Sequence, residues 1–128
     1  MLRMIPLVLL ALPAAAQEAM TAAEFEAYVT GKTLTYSDGG PPYGIEEYRP
    51  GREVSWRFVE DECQDGVWYP KGEDICFLYE NDPDEKCWRF TLENGRLTAR
   101  FTSNPSNLTL YEVEVGDRLL CPGPRVGV

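Results

Sequence analysis

From Arg52 onward the apolar residues fall at every second position. Val54, Trp56 and Phe58 share one face of an extended segment, with Ser55 and Arg57 on the other. A period of two marks a β-strand with one buried face. Ile75, Phe77 and Tyr79 repeat the pattern along Asp74–Tyr79. The run Glu93-Asn94-Gly95-Arg96 then fixes a hairpin, because Asn-Gly tolerates the positive φ that both centres of a type I′ turn require. That turn sets Leu92 opposite Leu97, Phe90 opposite Ala99 and Trp88 opposite Phe101, with Glu93 facing Arg96 at the mouth. A slip of one residue would bury Arg89 and Arg100, so the register is strongly specified.

The remaining segments read the same way. Lys32–Ser37 is β-branched and aromatic and is broken by Asp38-Gly39-Gly40-Pro41-Pro42. Tyr43–Arg49 follows and ends at a Pro50-Gly51 turn. Gly66–Tyr69 is a short strand, and Leu108–Val115 is the last, with Tyr111, Val113 and Val115 alternating against Glu112 and Glu114. About eight short strands with short connections predict a mainly β fold, an antiparallel up-and-down barrel or curled meander. One helix is legible. Thr21-Ala22-Ala23-Glu24 is a capping box, Phe25, Tyr28 and Val29 share a face, and Gly31 ends the element. A helix of about two turns does not persist alone in water, so it must dock on something apolar, against the sheet or across one end.

The N-terminus predicts export. Arg3 is followed by an apolar run from Met4 to Leu12, and Pro13-Ala14-Ala15-Ala16 supplies an A-x-A site with cleavage before Gln17. This is the order of a signal peptide (residues 1–16), and the run is too short to span a membrane. Cleavage removes one base and no acid, moving the formal charge from −9 to −10 on a single domain of residues 17–128. Such acidity argues against nucleic acid and anionic membrane surfaces and favours a basic partner or simple solubility. Cys63, Cys76, Cys87 and Cys121 read as two disulfides in a periplasmic or extracellular protein. With Ile75 and Phe77 facing the same interior as Trp88, Cys76 lies directly opposite Cys87. A bridge there closes a short loop worth about 3 kcal/mol, and Cys63 is left to Cys121. There is no C-x-x-C pair and no His, so zinc is not indicated.

The lack of His also excludes Ser-His-Asp and Cys-His machinery. Paired cysteines leave no thiolate, and Ser55, Ser103 and Ser106 have no neighbouring base by sequence. Carboxylates are plentiful: Glu46-Glu47, Glu60-Asp61-Glu62 with Asp65, Glu73-Asp74, and Glu80 to Glu85. Two could flank a glycosidic bond if one were held in apolar surroundings, but the clusters sit at predicted loops and read as a solvated acidic rim. Asn81-Asp82-Pro83-Asp84-Glu85 offers oxygen ligands for Ca²⁺ without the D-x-D-x-D-G order, and Pro83 stiffens it. No catalytic residue, metal or cofactor is assigned. Asn107-Leu108-Thr109 fits a glycosylation acceptor.

Aromatic residues are the better binding candidates. The chain holds 3 Trp, 7 Tyr and 5 Phe, which is many for its 128 residues. Tyr36, Tyr43 and Tyr48 lie beside the Gly39–Pro42 loop, where an exposed ring could meet a partner. A small barrel either fills its interior or holds one small ligand at its mouth. Gly31-Lys32-Thr33, Tyr43-Gly44, Tyr48, Trp56, Gly66-Val67-Trp68, Ile75-Cys76-Phe77-Leu78-Tyr79 and Cys87-Trp88 together resemble a family of uncharacterised small secreted proteobacterial proteins. That resemblance implies a periplasmic address and a β-barrel-like domain, and brings no activity or site residues with it. In size, export, acidity and disulfides the chain is also similar to periplasmic lysozyme inhibitors of small-barrel type. Lipocalins carry Gly-x-Trp near the start of their first strand, whereas Gly66-Val67-Trp68 lies mid-chain. The sequence therefore points first to a non-enzymatic binding module for a small ligand or a basic periplasmic protein. An inhibitor of a basic cell-wall hydrolase comes second, and a carboxylate-dependent hydrolase third.

Overall fold

In a computed structural model, residues 1, 6–11, 18–59, 61–103, 107–116 and 118–121 are described. The predicted cleavage site, Arg3, Glu60, Ser106 and the tail from Gly123 to Val128 lie outside them. The elements run α1 (Ala22–Val29), β1 (Thr33–Ser37), β2 (Pro42–Arg49), β3 (Glu53–Phe58), β4 (Gln64–Lys71), β5 (Asp74–Tyr79), β6 (Lys86–Glu93), β7 (Arg96–Phe101) and β8 (Thr109–Gly116). Each strand pairs antiparallel with the next, and β1 pairs with β8 to close the barrel. The expected up-and-down barrel is what the chain forms. β4 is longer than the Gly66–Tyr69 strand expected from sequence, because Gln64 and Asp65 also pair with β3 while Pro70 and Lys71 pair with β5.

The hairpin of β6 and β7 has the predicted register throughout, from Trp88 opposite Phe101 to Glu93 opposite Arg96. Asn94 and Gly95 take φ of 53° and 76° at its turn, the left-handed values that only such residues adopt cheaply. Cys76 stands opposite Cys87 and is bridged to it, and Cys63 is bridged to Cys121. Two disulfides suit an oxidising compartment. Among the described residues no helix is long and apolar enough to cross a membrane.

Because every strand reverses direction, the β2–β3, β4–β5 and β6–β7 turns share one end of the barrel with the start of β1. Helix α1 plugs that end. Its capping box is formed on both sides, with Thr21 Oγ1 accepting from the Glu24 amide and Glu24 accepting from the Thr21 amide. Phe25, fully buried, inserts edge-on against Tyr48 and Trp68 at ring distances of 5.8 and 5.1 Å, and packs on Phe90 at 4.5 Å. The entry and exit of the helix are pinned to strands by Met20 N donating to Phe90 O and Gly31 N donating to Tyr48 O. Arg52 adds an ion pair to Glu26 at 2.8 Å while its guanidinium lies 4.6 Å above the Trp68 ring.

One strand departs from the sequence reading. On β8 Tyr111, Val113 and Val115 are exposed along with Glu114, and the buried residues are Leu110 and Glu112. Leu110 pairs with the inward-facing Ala99, which sets the phase. Glu112 can occupy an inner position because the Tyr28 hydroxyl of α1 donates to its carboxylate at 2.7 Å. That carboxylate, after desolvation, helps push the Tyr28 phenol up to about 12. Beyond β8, Leu119 N donates to the outward-facing Glu47 at 2.9 Å, and Cys121 is tied to the β3–β4 connection. The C-terminal segment thus straps the outside of the barrel.

Phe25→Ala should destabilise the fold by about 3–5 kcal/mol, since the void at the plug cannot collapse onto a rigid barrel end. Urea unfolding at neutral pH measures this, with Phe58→Ala, a residue that is 40 % exposed, costing far less.

Candidate functional site

The inner face of the barrel divides into two halves. The helix end is filled by Phe25, Val29, Leu34, Val54 and Trp68. The other half encloses a cavity of about 330 Å³. Trp56, Phe77, Trp88 and Phe101 all meet on its wall, as the alternation in sequence requires. Leu110 and Ala99 lie deeper, while Tyr43, Phe58 and Lys86 stand nearer the open end. Eight strands make an interior just wide enough for side chains or for one small ligand. Here small inner-face residues leave room. A Cβ on Gly44 would sit 2.2 Å from the Trp56 indole, so glycine at this position is what lets that ring lie across β2.

Tyr36 and Tyr48 do not stand exposed beside the Gly39–Pro42 loop as expected. Both side chains are buried in the barrel, with their hydroxyls 2.8 Å apart. The reason is register: Tyr36 lies opposite Gly44, and Tyr48 opposite Val54, on the inner face. Tyr43 is half-buried at the mouth, its ring 5.6 Å from Phe58 and 6.2 Å from Trp56. All three predicted residues line the one cavity.

The acidic clusters also need correction. Glu46, read as part of a solvated rim, is 1 % exposed on the cavity wall. It alternates with Gly44 and Tyr48 on the inward side of β2, and that phase was readable from the aromatic at Tyr48. Tyr79 donates to Glu46 Oε1 at 2.8 Å, whereas Oε2 has no hydrogen-bond partner among the described residues. Burial drives the Glu46 carboxyl well above the usual carboxylate range, against the pull of the Tyr79 hydroxyl and the charge of Arg49. Desolvation likewise raises the Tyr36, Tyr48 and Tyr79 phenols well above 10. The cavity is thus an aromatic pocket with a buried acid and a small set of hydroxyls on its wall.

The acids in the loops behave differently. Asp82, on the rim, receives Lys86 Nζ at 2.6 Å and the Asp84 amide at 2.9 Å, which hold its carboxyl below the usual range. The Asn81–Glu85 loop therefore already carries a cation of its own. Cys76, Cys87 and Glu85 bring possible ligand atoms within 4.8 Å of one another. Both sulfurs are spent in the disulfide, and Glu85 is engaged by Lys71 and Tyr69. Ser55, outward on β3 beside Asp65 and Arg49, lies on the opposite side of the sheet from the cavity. Comparison with family models, curated proteins and solved structures returns no match to this chain.

The sign of the Glu46 effect on stability follows from linkage. Above its ordinary value of 4.5 the unfolded chain loses this proton first, so the native state binds more protons and stability falls as pH rises. Glu46→Gln should make the decline between pH 5 and pH 8 shallower, measured as unfolding free energy from urea titrations across that range. An unchanged slope would mean the carboxyl ionises as freely in the folded protein as outside it.

Proposed function

We propose that the chain is an exported, non-enzymatic binding module that holds a small, largely apolar ligand inside the barrel. The observation that carries this reading is the open cavity of about 330 Å³ with its wall of indole and phenyl rings. Ligand pockets are concave, mostly apolar and fitted with a few convergent polar groups, and Glu46, Tyr79, Tyr36 and Tyr48 are such groups here. The plug at the helix end supports the same reading, because it closes that end of the barrel and gives the cavity a rigid floor. Export to the periplasm or the extracellular space accords with the two disulfides and with the apolar N-terminal run, whose Leu7, Val8, Leu9 and Leu10 are exposed and add nothing to the core.

A second reading, inhibition of a basic hydrolase, draws on the open end. There the β3–β4 and β5–β6 connections carry Asp61, Glu62, Glu80, Asp82, Asp84 and Glu85, with Lys86 the nearest base in sequence. Charge of one sign steers cationic partners and makes their association salt-sensitive. An inhibition assay with a basic lysozyme at low ionic strength tests it, and full lysozyme activity there removes it.

For the first reading, a neutral fluorophore such as N-phenyl-1-naphthylamine should brighten on binding, at one site per chain. Ala99→Phe, which fills the cavity from a buried wall position, should weaken that binding about tenfold or more. Overpacking of this kind costs about 1–3 kcal/mol, and near-ultraviolet circular dichroism checks that the variant stays folded. Equal fluorophore binding by the variant would place the probe elsewhere.

A further inference from the structure

The cavity reading leaves the chemistry of its occupant open, and one atom narrows it. Glu46 is 1 % exposed, lines the cavity, and has Oε1 engaged by Tyr79 while Oε2 makes no hydrogen bond to any described residue. A buried polar atom without a partner opposes folding, because its lost hydration is not replaced. It is a poor way to build a purely apolar pocket. Trp56, Trp88 and Phe77 line the same cavity, and aromatic faces attract cations within about 6 Å of the ring centre. The loops around the entrance are acidic, which concentrates positive solutes at the mouth. The acid and rings on the wall and the acids at the rim all select the same charge.

Resting on the small-ligand reading above, we propose that this cavity takes a primary or secondary amine carrying one aromatic or alicyclic body, with the ammonium on Glu46 Oε2 and the body among Trp56, Phe77 and Trp88. Other charges facing the site do not serve this role. Tyr36 of β1, Tyr48 of β2 and Tyr79 of β5 are phenols kept neutral by desolvation. Arg49 acts on Glu46 from the outer face of β2, where it is held by Glu47, Ser55 and the Val54 carbonyl. Glu112 of β8 is taken up by Tyr28. At the rim Asp82 and Lys86 neutralise each other. The proton balance is simple. A protonated Glu46 meets an ammonium ion, the carboxyl O–H breaks, its proton passes to buffer, and a carboxylate–ammonium pair remains.

Three indole probes of matched shape test this by calorimetry: tryptamine, the alcohol tryptophol and the anion indole-3-acetate. Tryptamine should bind about tenfold or more tightly than tryptophol, the effect of one charge-assisted hydrogen bond, and indole-3-acetate more weakly than either. Glu46→Gln should bring tryptamine down to the level of tryptophol. Should that variant fail to fold, the wild-type protein gives an independent readout. At pH 6, titrations in buffers of different ionisation enthalpy should show net proton release with tryptamine and none with tryptophol. Equal binding of amine and alcohol, a preference that survives in Glu46→Gln, or amine binding without proton release would each overturn the proposal. If the neutral naphthylamine fluorophore still binds in those cases, the small-ligand reading stands. If neither it nor any indole binds, both readings fall.

Discussion

The pairing of β1 with β8 is the constraint on which everything else rests. An open eight-strand meander would leave two edges for other chains to pair with and an apolar face exposed to water. Closure removes the edges and turns one face of every strand toward a common centre. The closing seam is irregular: the register shifts between Thr35 and Tyr36, where the partner steps from Glu114 to Glu112. That bulge lets Tyr36 and Glu112 pair on the inside while Val113 turns to solvent.

Once the barrel is closed, the helix decides how its interior is used. Phe25 and Val29 are fully buried in the helix end, and their rings and methyls fill space that strand side chains alone do not reach. Aromatic edge contacts of the kind Phe25 makes with Tyr48 and Trp68 contribute about 0.5–1.5 kcal/mol each beyond area burial. With that end packed solid, the opposite half keeps its cavity without the barrel losing its core. The disulfides act from outside: one bridges β5 to β6, the other ties the C-terminal strap to the β3–β4 connection.

The polar interior comes at a cost in stability. Burying Glu46 with one oxygen unpaired opposes folding more strongly as it ionises, and only Tyr79 and the distant charge of Arg49 offset this. Glu112, the other inner acid, is paired with Tyr28. The contrast separates an acid that braces the plug from one that lines the cavity. Proteins commonly retain such local penalties where they bind something.

Much of this architecture was legible in the residues alone. The Asn94-Gly95 turn and the period-two aromatics set the β6–β7 register, and from it the Cys76–Cys87 pairing, because side-chain direction in a strand follows from counting. The capping box at Thr21 and the breaker at Gly31 likewise bounded the helix through local backbone chemistry. What failed were places where polarity was taken as a guide to exposure. Glu46 and Glu112 look like surface residues, and Tyr111 and Val113 look like core, until the partner strand fixes which face is inward. Counting determines that alternate residues share a face; only contacts between distant segments, Tyr79 on Glu46 and Tyr28 on Glu112, decide whether an acid can be tolerated there. The cavity belongs to the tertiary structure for the same reason, since its volume depends on how eight inner faces and one inserted helix fill a shared space.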